Sequence, residues 1–391
     1  MNKPLEELAI ITYGKDYKPN PSGDNVPIYG TGGLMGYTSK KMNSGPAILT
    51  GRKGSINKPF YLEGDFWNVD TIFCIKAKPG VNTKWLFYNL KNTDLNKLNE
   101  ATGVPSVNTQ SLYRLKFNYF SPVKQDKIAQ ILTTCDTVIE KTEATIAKYQ
   151  AMKQGLMHDL FTRGIDIKTG KLRPKQEDAP ELYKESELGW IPKEWDDTTF
   201  GKVIIKSLYG PRFNANNYNL NGNVKTIRGT DFSKEGSILY NQTPIALISK
   251  DKIQAHILKS GDVIMVTTAD CGLTAVFEEQ GFNFIPSAYS VKFRFIEIVE
   301  PYFIKYFMQT NFAIKQVNKY IRQGTIGNLP GSDVLTFLIT IPSKIEQRKI
   351  LDNIKSLISK IETEQSYLSK YQKLKTGLMQ DLLTGKVEVK V

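Results

Sequence analysis

Residues Gln125–Ile165 read QDKIAQILTTCDTVIEKTEATIAKYQAMKQGLMHDLFTRGI, and residues Gln347–Val387 read QRKILDNIKSLISKIETEQSYLSKYQKLKTGLMQDLLTGKV. The second stretch realigns on the first without a gap at a constant shift of 222, with roughly a third of the positions identical. Self-similarity at a fixed offset marks a duplicated structural unit. In the first copy apolar or small residues fall at Ile128, Leu132, Cys135, Ile139, Thr142, Ile146, Tyr149, Met152, Leu156 and Leu160; the second repeats the spacing at Ile350, Ile354, Leu357, Ile361, Glu364, Leu368, Tyr371, Leu374, Leu378 and Leu382, with the charged Glu364 at the place of Thr142. Alternating steps of four and three trace a coiled-coil seam. Pro122 and Pro342 precede the runs, and Gly164 and Gly385 lie where helices should end. Each helix of about 36 residues would be about 54 Å long at 1.5 Å per residue.

Neither stripe can remain exposed, so the economical arrangement pairs the two helices within one chain; a partner helix from another protein is the rival. Antiparallel pairing is expected, because tandem parallel helices need a connection returning the full helix length. It would bring the polar seam positions Thr142 and Glu364 close together.

Each helix closes a stretch of non-repetitive, aromatic-rich sequence, so the chain divides into a first globule 1–121, a first spacer helix 122–163, a linker 164–195, a second globule 196–340 and a second helix 341–391. The linker turns polar and holds Pro174, Pro180 and Pro192, which reads as an ordered-to-extended linker. Short β-type runs at Ala47–Leu49, Thr71–Ile75, Val203–Ile205, Val263–Val266 and Ser290–Phe295, with helical patterns near Trp85–Leu98 and Tyr302–Ile321, make mixed globules. The expected fold is an α/β (α+β) multidomain protein, two globules separated by two long antiparallel coiled-coil helices with pseudo-twofold symmetry.

At 391 residues the chain can hold two to three domains. No apolar run approaches the roughly 20 residues that cross a bilayer, and Met1 does not open a basic then apolar export signal, so a cytoplasmic protein without membrane contact is expected. Cys74, Cys135 and Cys271 lie far apart, and His158 and His256 have no zinc-type second ligand nearby, so neither disulfides nor a metal are expected. The net charge of +13 favours a polyanionic partner. It is uneven: residues 1–121 carry 15 basic and 9 acidic side chains, whereas 181–340 carry 17 and 16.

Catalytic patterns are missing. The stretch Gly30–Tyr37, GTGGLMGY, lacks the lysine of a phosphate-binding loop. No NPP[YF]-type tetrapeptide suited to amino methylation occurs, a carboxylate–lysine set from Asp65, Asp70 and Lys76 has only chance spacing, and no nucleophile elbow is present. Binding residues are easier to find. In the first globule Thr31 and Tyr37 lie in GTGGLMGY; Arg52, Lys53, Ser55, Asn57 and Lys58 in GRKGSINKPFY; Ser106 and Asn108 in GVPSVNT. In the second, Arg228 and Thr230 lie in TIRGTDF, Thr267 and Thr268 in VTTADCG, Ser287 and Tyr289 in IPSAYS, and Arg322, Gln323, Thr325 and Asn328 in IRQGTIGNLPGSD. Glycine lets a backbone approach DNA closely, cations neutralise phosphate, and Arg or Asn can read base edges.

Two globules, two repeated helices, the GLMxDLxT ends at Gly155–Thr162 and Gly377–Thr384, and SELGWIPKEW opening the second globule together resemble a type I restriction–modification specificity subunit. The resemblance covers essentially the whole chain; the first globule departs from it in lacking an IPxxW-type opening. It implies that each globule is a target recognition domain reading one half of a split double-stranded DNA sequence, that the helices set the spacing and dock two modification (methyltransferase) subunits, and that restriction/translocase subunits join them. It also implies a non-catalytic subunit, with S-adenosylmethionine, ATP and Mg held by partners and no cofactor here. The rivals are a single-chain restriction enzyme and a structural coiled-coil scaffold without sequence-specific DNA binding.

Overall fold

The computed structural model describes residues 1–18, 22–322 and 324–390. Contacts divide the chain into two compact units, Met1–Ile146 with Thr363–Val391, and Ala147–Glu362. The division falls inside both long helices. None of the helices formed by the described residues is long and apolar enough to cross a membrane.

The repeats form helices Pro122–Thr162 and Lys344–Thr384, each of 41 residues. Both stop at the glycines singled out by sequence, Gly164 (φ +64°) and Gly385 (φ +73°), left-handed positions that end a helix at little cost only without a Cβ. The second helix starts later than expected, because Leu338–Ile341 is a strand.

Within each unit the helices run antiparallel. In the first, Ile128, Ala129 and Leu132 share a core with Met379, Leu382 and Leu383, and the Lys375 ammonium pairs with the Asp136 carboxylate. In the second, Met157, Leu160 and Phe161 share a core with Ile350, Leu351 and Ile354, and the Ile165 amide donates to Glu346 Oε1 at 2.8 Å. Within the first unit the Asp136–Lys375 pair sets the antiparallel register. In that register the buried Thr142 is level with Ser369, five residues from Glu364, or about 7.5 Å of rise. One part of the expected seam fails twice at equivalent places. Met152 and Leu374 are 49% and 55% exposed, and Met157 and Met379 are buried instead. A 3.6-residue helix drifts about 20° per heptad from a strict 3.5 repeat, and here the buried face turns toward the globule.

The globules hide a second repetition. In the first unit one antiparallel sheet has the order Ala9–Tyr13, Ile72–Ala77, Ala47–Gly51, Phe60–Leu62; in the second, the order is Ile204–Tyr209, Ser290–Phe295, Val263–Val266, Thr274–Val276. The central strands are buried throughout, AILTG in one and VIMV in the other. A second sheet in each globule contains one parallel pair, Ser22–Gly30 with Asp65–Asn68 and Val224–Ile227 with Phe284–Pro286. Each globule also closes on itself: Asn2–Pro4 pairs antiparallel with Lys116–Asn118, and Asp196–Thr199 with Leu338–Ile341. The helical pattern expected over Tyr302–Ile321 is two helices, Pro301–Phe307 and Asn311–Tyr320, the second capped by the Thr310 hydroxyl.

The first residue of each repeat copy joins helix to globule. Gln125 and Gln347 are fully buried. Gln125 Oε1 accepts from the Asn82 amide (2.9 Å) at the start of helix Thr83–Lys91, and its Nε2 donates to Phe120 O (2.8 Å). Gln347 repeats both bonds, from the Glu300 amide (2.8 Å) at the start of Pro301–Phe307 and to Pro342 O (2.9 Å). The segment 164–195, expected as an ordered-to-extended linker, is packed. It forms the hairpin Tyr183–Ser186/Gly189–Pro192 and buries Arg173, Ile191 and Trp195.

Two glycines have one structural reason. A Cβ at Gly14 would stand 1.9 Å from Val69 O, and one at Gly210 would stand 2.0 Å from Pro286 O. Both follow the first strand of their sheets, after Tyr13 and Tyr209. Backbone oxygens cannot swing aside like a side chain, so Gly210→Ala should destabilise the second unit by about 3 kcal/mol or more, at the upper end of overpacking costs. A urea midpoint shift worth less than about 1 kcal/mol would show that the Pro286 backbone yields.

Candidate nucleic-acid interface

The loops marked by sequence converge on one another inside each globule. In the first, the Gly54 amide donates to Pro105 O (2.8 Å) and the Val107 amide to Arg52 O (3.0 Å), with a β-bridge between Lys53 and Ser106. These bonds lay loop 51–61 along loop 103–109. The tip of the hairpin Ser22–Gly30/Gly33–Thr38 comes beside them: Thr31 Oγ1 is 3.5 Å from where a Gly54 Cβ would be. In the second globule the Ala269 amide donates to Gly327 O (3.0 Å) and the Leu329 amide to Thr267 O (2.8 Å), with a bridge between Thr268 and Asn328. The Thr267 amide and hydroxyl both donate to Tyr289 O (2.9 Å each), and the Ser287 amide donates to Ile227 O (2.9 Å), so loops 226–232, 266–272, 285–290 and 321–333 form one cluster. The two clusters share one backbone design, with Lys53 where Thr268 stands and Ser106 where Asn328 stands.

Side chains divide into those facing outward and those holding the cluster together. Lys53, Ser55, Lys58 and Tyr37 are exposed, and Ser106 and Thr31 are half-buried. Arg52 is half-buried: its Nη1 donates to Asp70 O (3.4 Å) and its guanidinium lies over the Tyr13 ring at 5.2 Å. Asn57 and Asn108 are braces. Asn57 Oδ1 accepts from the Leu95 amide (2.7 Å), while Asn108 caps helix Thr109–Tyr113 through the Ser111 amide (2.7 Å) and donates to Glu100 Oε1 (2.6 Å). In the second globule Tyr289, Thr230, Thr325 and Asn328 are exposed and Thr268 is half-buried. Arg322 is exposed, 3.6 Å from Asp333. Thr267 and Ser287 are buried, the Ser287 hydroxyl 3.4 Å from that of Ser290. Arg228 forks onto Asp231 (3.0 and 2.9 Å), a fully buried carboxylate whose hydrogen bonds raise the guanidinium pKa further. Gln323 lies outside the described residues. The half-buried Cys271 thiol lies against Thr267 O (3.2 Å) and, in the neighbouring loop, Gly327 O (3.5 Å), and burial pushes its pKa up.

Sequence reading passed over Tyr13 under Arg52, Asn99, whose Oδ1 accepts from the Ser106 amide (2.9 Å), and Tyr209, whose hydroxyl accepts from the Gly331 amide (2.7 Å). For the two tyrosines the signal was the dipeptide Tyr-Gly at 13–14 and 209–210, which also occurs at 29–30. Among the described residues no group of three or more His, Cys, Asp or Glu is placed to hold a metal ion.

The chain is similar to the MjaVIII specificity subunit of Methanocaldococcus jannaschii, at 25% identity over 322 residues that span 78% of this chain and 70% of the relative. It is also similar to the putative MjaX specificity subunit of that organism, at 25% identity over 74% of this chain and 63% of the relative. The fold matches the crystal structure of a type I restriction–modification S subunit from M. genitalium with a TM-score of 0.60 at 13% identity, covering 100% of this chain and 96% of that one. A second match, from work on complex assembly and conformational transition of the type I R-M system, has a TM-score of 0.57 at 14% identity, covering 99% and 98%. The sequence model described as the type I restriction modification DNA specificity domain matches residues 2–148 and 192–370, so the chain belongs to that family and is a type I specificity subunit with two recognition domains.

Proposed function

We propose that each loop cluster reads one half of a bipartite double-stranded DNA target, and that the subunit itself performs no chemistry. The observation that carries this is the shared backbone design: Lys53 bridged to Ser106 and Thr268 bridged to Asn328 present equivalent surfaces with different side chains. Two readers of one build and unlike chemistry suit two half-sites of unlike sequence. Arg52, Lys53 and Lys58 supply phosphate contacts in the first globule; Arg322, with Thr268, Tyr289 and Asn328, faces outward in the nearly neutral second. We assign methylation to two modification subunits that bring S-adenosylmethionine, and translocation with cleavage to restriction subunits using ATP and Mg, all in the cytoplasm. Mapping modified bases in the source cell tests the reading: two constant half-sites flanking a fixed gap are expected, and a contiguous target would overturn it.

The cations have their own test. Replacing Arg52 and Lys53 with alanine should weaken binding and reduce the slope of log K against log salt by about 1.8, at roughly 0.9 per phosphate contact. If instead one base preference is relaxed at unchanged slope, the two side chains read bases. Unchanged affinity would return them to the solvated surface.

A further inference from the structure

The shift of 222 does not stop at the helices. It carries Ser106 onto Asn328, Val107 onto Leu329 and Leu112 onto Val334, and the bridges at Ser106 and Asn328 fall at the same offset. Two residues ahead of each bridge it carries Val104 onto Ile326. Both are branched aliphatics, and both stand in water, 68% and 60% exposed.

One exposed aliphatic side chain is ordinary. Here the exposure recurs at one position of two loops that otherwise differ, Gly-Val-Pro-Ser against Thr-Ile-Gly-Asn. The loops are also braced. Val107 and Leu329 anchor them in the cores, and Pro105 O and Gly327 O accept the amides of Gly54 and Ala269. The aliphatic tips are therefore presented on fixed backbone. Their neighbours across the bridge are the exposed Lys53 and the half-buried Thr268, with Arg322 nearby in the second loop, surroundings suited to DNA rather than to an apolar protein face. In the major groove the apolar feature DNA offers is the thymine 5-methyl group. Val and Ile are short and stiff about χ1, so they suit touching a methyl more than unstacking a base step.

We infer that Val104 and Ile326 are specificity residues, each packing against a thymine 5-methyl group in its own half-site. The inference rests on the DNA-reading role proposed above. The test uses the full chain in complex with its modification subunits and duplexes carrying the mapped target, with each thymine in turn replaced by deoxyuridine, which removes the methyl and nothing else. At fixed salt, one such replacement in each half-site should weaken wild-type binding about 3- to 5-fold, the scale of one buried methyl group. Val104→Ala should abolish that penalty in one half-site alone, and Ile326→Ala in the other, with unchanged melting temperatures; Val104→Thr, of similar shape, should fall between. A half-site without thymine, a deoxyuridine penalty that persists in the alanine variants, or affinity lost equally for both duplexes would overturn the inference, the last pointing to a wedge between bases. Intact DNA binding with failed subunit assembly would overturn it in favour of a protein contact. If the wild-type complex shows no preference for the mapped sequence, the DNA-reading role itself fails.

Discussion

Exchanging the second globule for that of a relative with another target is expected to change one half of the recognised sequence and leave the other half intact. The structure shows where to cut. Strand Asp196–Thr199 pairs with Leu338–Ile341, from Asp196 opposite Ile341 to Thr199 opposite Leu338, so the globule's two ends lie side by side in one ladder. A cut after residue 340 would split that ladder; the junctions belong before Asp196 and after Ile341. The transplanted globule must also fit what it lands on. Phe161 of the first helix packs against Phe303 (centroids 4.9 Å) and Phe307 (6.1 Å), and Gln347 of the second caps the helix that begins after Glu300. A donor that keeps aromatics at the positions of Phe303 and Phe307 preserves both contacts. Mapping modified bases in cells carrying the chimaera gives the outcome directly. If both half-sites change, the globules do not act separately.

The helices were legible in sequence because apolar residues at alternating steps of four and three, sustained over some ten positions in each copy and followed by a glycine, have few other readings. The duplication of the globules was not. AILTG and VIMV take the same central place in the two sheets, and what they share is burial, which many apolar residues satisfy equally. Nor was the packing of 164–195, where the prolines outweighed Arg173, Ile191 and Trp195 in the reading. At the candidate interface the loops could be picked out by their glycines, but individual side chains could not: Thr267 and Ser287 look like readers and point inward, while Asn57 and Asn108 hold backbone amides. Most bonds joining the loops are backbone bonds, indifferent to side-chain identity, the Thr267 hydroxyl on Tyr289 O and Asn99 Oδ1 on the Ser106 amide being exceptions. Only a backbone requirement leaves a trace, as at Gly54 (φ +85°); even there the equivalent position holds Ala269 at φ +66°, the one positive φ outside glycine among the described residues. A conformation costing an alanine about 1–2 kcal/mol persists there because Gly327 O holds the Ala269 amide.

Glu346→Ala is expected to be the most damaging single substitution in the second unit. Glu346 and Arg173 are 2% and 6% exposed. Arg173 Nη1 and Nη2 donate to the two Glu346 oxygens at 2.5 and 3.0 Å, and the Ile165 amide donates to Oε1 at 2.8 Å. One carboxylate thus joins the end of the first helix, the segment after it and the start of the second helix. Its loss leaves the Arg173 guanidinium buried with the Arg163 carbonyl (3.1 Å) and the mostly exposed Glu194 (2.6 Å) as its remaining partners, and strips the Ile165 amide of its acceptor. Removing one partner of a buried pair costs about 3–5 kcal/mol, and at 2–4 °C per kcal/mol for a unit of this size the thermal transition should fall by roughly 10 °C. Glu346→Gln keeps an oxygen for Ile165 and should lose less. Glu346→Leu with Arg173→Met separates charge from packing: an apolar pair of similar volume commonly restores what the broken ion pair loses, so the double variant should melt well above Glu346→Ala. If it melts as low as the single variant, the carboxylate holds the second unit together through the Ile165 amide rather than through its charge on Arg173.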